Sequence, residues 1–302
     1  LKKRGQKEME LGASRSRKAF VVFNYIFCVL VGFLCLAPVI HVLALSLSAK
    51  EQVIAGNVTL WPKGLTLDNY RYVARDYQFY SAFFVSIKRT ALALVVVMTM
   101  TILAAYPLSM TRQQFKPRRV YIWLFVIPMI FSGGLIPTYL AVTKTGLINS
   151  IWALILPVAV PVYNVILLQN FMKALPDAIT EAAHIDGADH FTTLGKVILP
   201  LCLPSLATLS LFVAVGHWNA WYDGMLYIND NLKFPLQTYL RQVITTPDFS
   251  TLTVEEMQKY AQITAKNNQA AQIVIATFPI MCVYPFLQKY FMTGLTLGGV
   301  KG

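Results

Sequence analysis

Residues equipped for bond-making chemistry are scarce in this chain, and those present are not arranged for it. Its four histidines are His41, His184, His190 and His217. His184, Asp186 and His190 are close in sequence, but they straddle Gly187 and lack the i, i+4 spacing of a helical zinc site. The four cysteines, Cys28, Cys35, Cys202 and Cys282, have no metal-ligand spacing. No nucleophile has a base beside it in an arguable pattern. A phosphate loop, G-x-x-x-x-G-K-[ST], is absent. Gly294 to Lys301 comes near, but its glycines and lysine are misregistered and no Ser or Thr follows the lysine. These observations predict a non-enzymatic chain with no metal site and no nucleotide site of its own.

The densest set of meaningful residues is Pro176 to Pro200, PDAITEAAHIDGADHFTTLGKVILP. Pro176 suits a first helical turn, where its missing N–H costs nothing. Asp177 and Glu181 are four apart and share a face near a helix N-terminus, where acidic groups are favoured. Ala178, Ala182, Ala183 and Ile185 give a small apolar surface. Gly187 is placed to end the helix in a left-handed conformation, and Asp189 to cap a second helix. That helix runs toward the next apolar run, with Pro200 near the junction. A compact surface of alanines suits docking into a groove on another protein. A second set is polar and aromatic: Tyr163, Asn164, Gln169 and Asn170, then His217, Trp218, Asn219, Trp221 and Tyr222. Aromatic faces with amides nearby are the usual equipment for holding sugars. Trp and Tyr also mark membrane interfaces, so both uses stay open.

The elements that must position these residues are apolar. Hydrophobic residues make up 56% of the 302 positions and charged ones 13%, against about 25% charge in soluble domains. A run of about 20 apolar residues crosses a bilayer as a helix. Such spans are expected at about 20–46, 90–109, 120–142, 149–172, 197–217 and 270–288. The 20–46 run is too long for a signal-peptide core. Pro128, Gly133, Gly134 and Pro137 should soften the third span, and Pro157 and Pro161 lie in the fourth. Residues 49–81 and 218–268 read as exposed loops, and Asn57-Val58-Thr59 as a chance sequon. Lys88 and Arg89 sit at the outer end of the second span, where long basic side chains can snorkel. Ionisable groups buried in mid-span, which an ion-coupled transporter needs, are almost absent from the six runs, apart from His41 near an outer end.

Formal net charge is +12. A soluble protein so basic would suggest nucleic acid; here the basic residues flank apolar runs, which is first a topology signal. Lys2, Lys3, Arg4, Lys7, Arg15, Arg17 and Lys18 crowd the tail at 1–19, and Arg112, Lys116, Arg118 and Arg119 crowd a short link. The positive-inside rule puts both on the cytoplasmic side of the membrane. Both termini and 173–196 then face the cytoplasm, and 49–81 and 218–268 face out. An acidic substrate is compatible with the charge, and Lys88 and Arg89 on the outer side fit one.

Glu181-Ala182-Ala183, Asp186-Gly187-Ala188 and Ile198-Leu199-Pro200 together resemble the EAA signature of ABC importer permeases. Gly146-Leu147-Ile148-Asn149-Ser150 and the closing Gly298–Gly302 run are similar to the carbohydrate-uptake branch related to the maltose system, and the likeness covers nearly the whole chain. It implies an all-α integral membrane protein of the type I importer permease fold, a permease domain over 20–302. In that family 173–196 is a coupling helix seated in a cleft of a cytoplasmic ATPase. Asp177, Glu181, Ala182, Ala183, Asp186, Gly187, Ala188 and Pro200 would carry the coupling, and Pro200 would pass movement to the following helix. The implied partners are a second homologous permease, two ATPase subunits that use ATP and Mg, a solute-binding protein, an oligosaccharide and membrane lipid. Within the branch the chain looks most like permeases for acidic oligosaccharides such as pectin fragments or alginate. Neutral oligosaccharides are the alternative, and an ion-coupled secondary transporter a more distant one.

Overall fold

A computed structural model describes residues 15–131, 133–244 and 266–299. Among them the chain is helical, with one isolated bridge, between Ser48 and Leu65, and no strand. Most of the basic tail lies outside the described residues, as do Asp248, Glu255, Glu256 and Lys259 of the 218–268 segment and the last three residues of the chain.

Among the described residues, two helices are long and apolar enough to cross a membrane unbroken: α1, Arg15–Ser46, and α4, Tyr77–Ser109. Three further candidates are bent pairs, which makes up to five by length and composition. Proline and glycine cause the breaks. Helices α5, Arg118–Ile130, and α6, Leu135–Lys144, are separated at Phe131–Gly134, where Gly134 has φ 80°. The fourth apolar run begins as 3₁₀ turns, Ile151–Leu154 and Leu156–Val158, and becomes helical only after Pro161, as α7, Val162–Lys173, at 52° to them. The fifth is α9, His190–Leu201, turned by 84° into α10, Leu203–Asn219. Pro200 and Pro204 cannot donate to the carbonyls one turn back, and Thr193–Ile198 widens into a π-helical turn just before them, the usual companion of a kink. The final helix, α13, Lys266–Gly299, covers the position expected for a span at 270–288.

The two stretches read as plain loops contain short helices: α2, Lys50–Ile54, and α3, Asp68–Val73, in the first, and α11, Tyr222–Tyr227, and α12, Leu236–Ile244, in the second. A loop this long needs internal hydrogen bonds wherever its backbone is buried. Asn69 provides some, its amide donating to the carbonyls of Ser46 and Ser48.

The chain divides into two compact units. One takes 1–73 and 252–274, the other 74–251 and 275–302. In the first, α1 exposes almost all of its apolar surface, as expected of a helix whose solvent is lipid. In the second, α4 packs against α7 and α10. Its buried stripe is Ala82, Ser86, Arg89, Ala93, Val97, Thr101, Ala104 and Leu108. Small residues at spacings of three and four let helices approach closely inside a membrane, where tight packing rather than water exclusion drives association. Arg89 is the exception in that stripe.

Candidate functional site

Local sequence builds the segment at 173–196. Helix α8, Asp177–Ile185, starts with Ile179 donating to the carbonyl of Pro176. It ends in a Schellman closure. Ala188 N–H donates to the carbonyl of Ala183 at 2.9 Å, and Gly187 supplies φ 80°. That torsion is cheap only without a Cβ. The Asp189 carboxylate accepts from Thr192 N–H at 3.0 Å and caps α9. The hydrogen bonds from Thr192, with the nearby His190 adding to them, hold that carboxyl below the usual aspartate range.

The exposed face of α8 carries Asp177, Ala178, Glu181, Ala182 and Ile185, continued by Asp186 and Gly187; Pro200 is also exposed. Ile185 is 85% exposed, conspicuous for an isoleucine beside two carboxylates. Ala183 is buried on the opposite side, where α8 packs toward the π-helical turn, and Ala188 is half-buried. The alanines expected to form one outward surface therefore do different work. Ala182 faces out, and Ala183 lets α8 lie close to its own chain. Tyr106 at the end of α4 meets His190 Nδ1 at 3.3 Å. A cavity of about 330 Å³ opens there, lined by Tyr106, Gln114, Arg118, Lys173, Asp177 and His190.

The polar-aromatic residues separate into packed and exposed members. On α7, Asn164 is buried in line with Leu168 and Met172, whereas Tyr163 and Asn170 are exposed on another face and Gln169 is half-buried. Trp218 is buried, lies edge-on to Phe83 and donates its indole N–H to the carbonyl of Ala276. Its indole donor is engaged and its ring packs inside the fold. Asn219, Trp221 and Tyr222 remain exposed, and the last two rings meet edge to face at 5.5 Å. The guanidinium of Arg241 lies 5.2 Å from the centre of the Trp221 ring.

Two residues named in the sequence reading make ties that the sequence did not reveal. Arg89 does not snorkel outward. It is 1% exposed and pairs through both terminal nitrogens with Asp223, Nη1 to Oδ1 at 3.2 Å and Nη2 to Oδ2. Nη1 also donates to the carbonyl of Ala220 at 3.3 Å and Nη2 to that of Leu154 at 3.5 Å. A buried charge in an apolar helix is tolerated only with such partners. The guanidinium thus ties α4 to two places where the backbone leaves regular helix. Arg89, read in the sequence as a snorkelling cation at the outer end of the 90–109 run, is instead buried and paired with Asp223, and it drops out as a cation for substrate. The available signal was its place on the small-residue stripe of α4. Asn149, at φ 61°, makes a neighbouring tie: its N–H donates to the carbonyl of Tyr227 at 2.7 Å, and its Oδ1 accepts from the backbone N–H groups of Asn229 and Asp230.

Comparison with known proteins agrees with this architecture. The chain is 39% identical over 285 residues to the polygalacturonan/rhamnogalacturonan transport system permease protein YtcP of Bacillus subtilis, covering 94% of this chain and 99% of that one. It is 39% identical over 289 residues to the LplC protein of the same organism, covering 96% of this chain and 97% of that one. Among solved structures, a chain of a bacterial ABC transporter involved in the import of the acidic polysaccharide alginate superposes with TM-score 0.84 at 29% identity, over 92% of this chain and 99% of that chain. The family model for the binding-protein-dependent transport system inner membrane component matches residues 118–296, which include α8, its glycine closure and the kinked α9–α10 pair. The chain belongs to that family: it is a membrane component of a binding-protein-dependent transport system, with the type I ABC permease fold.

Proposed function

We propose that this chain is one of two permease subunits of an importer for acidic oligosaccharides, of the pectin-fragment or alginate kind. The observation that carries the reading is likeness along nearly the whole chain, at 39% and 29% identity, to a permease named for polygalacturonan and rhamnogalacturonan and to a chain of an alginate importer. Galacturonan and alginate are both built from sugars that bear carboxylates. The exposed aromatic pair Trp221–Tyr222 adds physical support, since aromatic faces stack on sugar rings.

The partners in this reading are a second, homologous permease, two cytoplasmic ATPases and a solute-binding protein outside the membrane. The ATPases bind ATP and Mg; this chain binds no cofactor. Six spans place both termini in the cytoplasm, with α8 and its glycine closure facing the ATPase. The outward face of Asp177, Glu181, Ala182 and Ile185 seats in the ATPase, and closure of the ATPases moves the segment as a lever on α9 and α10. The bend at 202 converts that push into a change of helix direction. External and internal access alternate as a result.

Reconstitution tests the proposal. The complete importer in proteoliposomes, with its binding protein, should hydrolyse ATP faster and accumulate label when given oligogalacturonate or oligoalginate. Stimulation by neutral maltodextrin alone would overturn the acidic reading. A complex that transports without any ATPase would overturn the coupling.

A further inference from the structure

Two cations border the cavity beside the coupling segment without an acid to neutralise them. Arg118 opens α5 and Lys173 closes α7, and both line the same space of about 330 Å³. Small-ligand pockets run from about 300 to 1,000 Å³. The Arg118 Nε donates to the carbonyl of Leu108 at 3.0 Å, at the end of α4. That bond steadies the guanidinium, and its two terminal nitrogens make no hydrogen bond or ion pair among the described residues. Lys173 makes none there either, so Asp177, whose carboxylate also lines the cavity, pairs with neither cation. The amide oxygen of Gln114 accepts from the N–H and the hydroxyl of Thr111 at 2.9 and 3.1 Å, which leaves its NH₂ to donate. Thr193 is an independent sign. It is fully buried, it lines the cavity, and its hydroxyl has no partner among the described residues. A buried hydroxyl is normally hydrogen-bonded, so this one has bonding capacity that the chain itself does not use.

We infer that Arg118, Lys173, Gln114 and Thr193 form a site for a small oxyanion, a carboxylate or a phosphate, and that its occupant restrains the coupling segment. An oxyanion accepts several hydrogen bonds at once, and charged donors hold it best. The guanidinium supplies a planar fork and the ammonium a point charge; Gln114 and Thr193 supply neutral donors. Two cations against one carboxylate leave the cavity positive. The donors come from two sides of a joint. Arg118, Gln114 and Lys173 belong to the ends of α5 and α7 and the link before α5, whereas Thr193 belongs to the π-helical turn of α9. An anion bonded to both sides opposes movement of α9 against the rest. This rests on the coupling reading and adds to it a ligand that sets how freely the lever moves. A carboxylate comes from the imported uronate, as feedback by the product. A phosphate comes from ATP hydrolysed on the same side of the membrane.

The experiment titrates the intact importer complex in nanodiscs of neutral lipid, without nucleotide or binding protein. Labelled galacturonate, its neutral methyl ester and inorganic phosphate are the probes, each compared on wild type, Arg118→Gln, Lys173→Gln and Thr193→Val. The other subunits are the same in every sample, so a difference reads this chain. Wild type should bind at least one of the two anions saturably and not the ester. Arg118→Gln and Lys173→Gln should each weaken that binding by about tenfold or more, the usual size of a lost hydrogen bond to a charged group. Thr193→Val, which keeps the shape, should weaken it less. Lys173 has no hydrogen bond within the described residues to lose, so Lys173→Gln separates a lost ligand contact from a lost fold, and melting curves check each complex. In proteoliposomes with the ATPases outward, the bound anion added on that side should slow stimulated hydrolysis by wild type, and Lys173→Gln should relieve the slowing. Tighter galacturonate assigns the site to the imported product, and tighter phosphate to ATP hydrolysis. No saturable binding of either anion, or binding unchanged in both Arg118→Gln and Lys173→Gln, overturns the site. Binding that leaves hydrolysis unslowed overturns the restraint. If no anion binds while oligogalacturonate is still imported, this inference falls and the transport reading stands. If only neutral sugars are imported, the acidic reading falls and the phosphate arm still decides this site.

Discussion

Arg89 and Asp223 give the sharpest prediction at the scale of single residues. A buried pair contributes little net stability, yet removing one partner leaves the other charged and stranded, at about 3–5 kcal/mol. Arg89→Ala should therefore lower the melting temperature of the purified complex severely, because the carbonyls of Leu154 and Ala220 lose a donor along with Asp223. Asp223→Asn, which keeps acceptor capacity, should cost less. Replacing both by apolar residues, as Arg89→Met with Asp223→Leu, should recover much of the loss. A double variant no better than Arg89→Ala would show that the pair does not account for the damage. Gly187 behaves differently. Nothing lies within 4 Å of a Cβ placed there, so size alone is harmless and the penalty comes from φ 80°, about 1–2 kcal/mol for an ordinary residue. Gly187→Asn should retain the ATPase through purification and keep stimulated hydrolysis near normal, whereas Gly187→Val should lose both. Equal behaviour of the two variants would remove the left-handed closure from the coupling mechanism.

Pairs of elements set the next scale, and α11 with α12 is the clearest case. Gly224→Ala must push these helices apart or displace Thr238, since a Cβ there would lie far inside van der Waals contact of Thr238 Oγ1. Overpacking of this kind costs about 1–3 kcal/mol. The melting temperature should fall, and adding Thr238→Ala should restore part of it by clearing space. A Gly224→Ala complex as stable as wild type would mean that the two helices separate freely. The N-cap of α9 is a smaller device: Asp189→Ala removes one hydrogen bond to an otherwise unpaired N–H, worth about 1 kcal/mol. Its effect should appear as weaker coupling of hydrolysis to transport rather than loss of expression. In the proposed coupling, the kinked α9–α10 pair is what gives so short a segment its leverage. A bend of 84° beside two prolines lets one end turn without translating the other.

Orientation and assembly belong to the whole molecule. In a variant lacking its four cysteines, Ile185→Cys should react with an impermeant thiol reagent only from the cytoplasmic side, and Asn231→Cys only from outside. Both positions are exposed, so failure to label would not reflect burial. Labelling of both from one side would overturn the proposed topology. The intact complex should weigh as two different permeases with two ATPases, because one coupling segment per chain serves one ATPase. The exposed apolar surface of α1 requires lipid or a membrane neighbour, so the chain should precipitate when detergent is withdrawn.

Much of this was legible in the order of the residues. Apolar run length marked the positions of the helices, and proline and glycine marked where several of them break, because both act through the local backbone. The 173–196 segment was readable for the same reason. Gly187 and Asp189 satisfy backbone groups within a few residues of themselves, so no distant partner had to be known. The arrangements that depend on which faces meet were not readable. Arg89 and Asp223 are 134 residues apart, and only packing of α4 against the turns after α10 makes one the partner of the other. Ala182 and Ala183 are neighbours with the same side chain, yet one faces out and one in, as successive positions on a helix must when only one side has a core behind it. Trp218 and Trp221 look equivalent in sequence. Tertiary structure buried the first against Phe83 and Ala276 and put the second under Arg241, because three residues of chain carry the backbone past the end of α10 and out of its packed face.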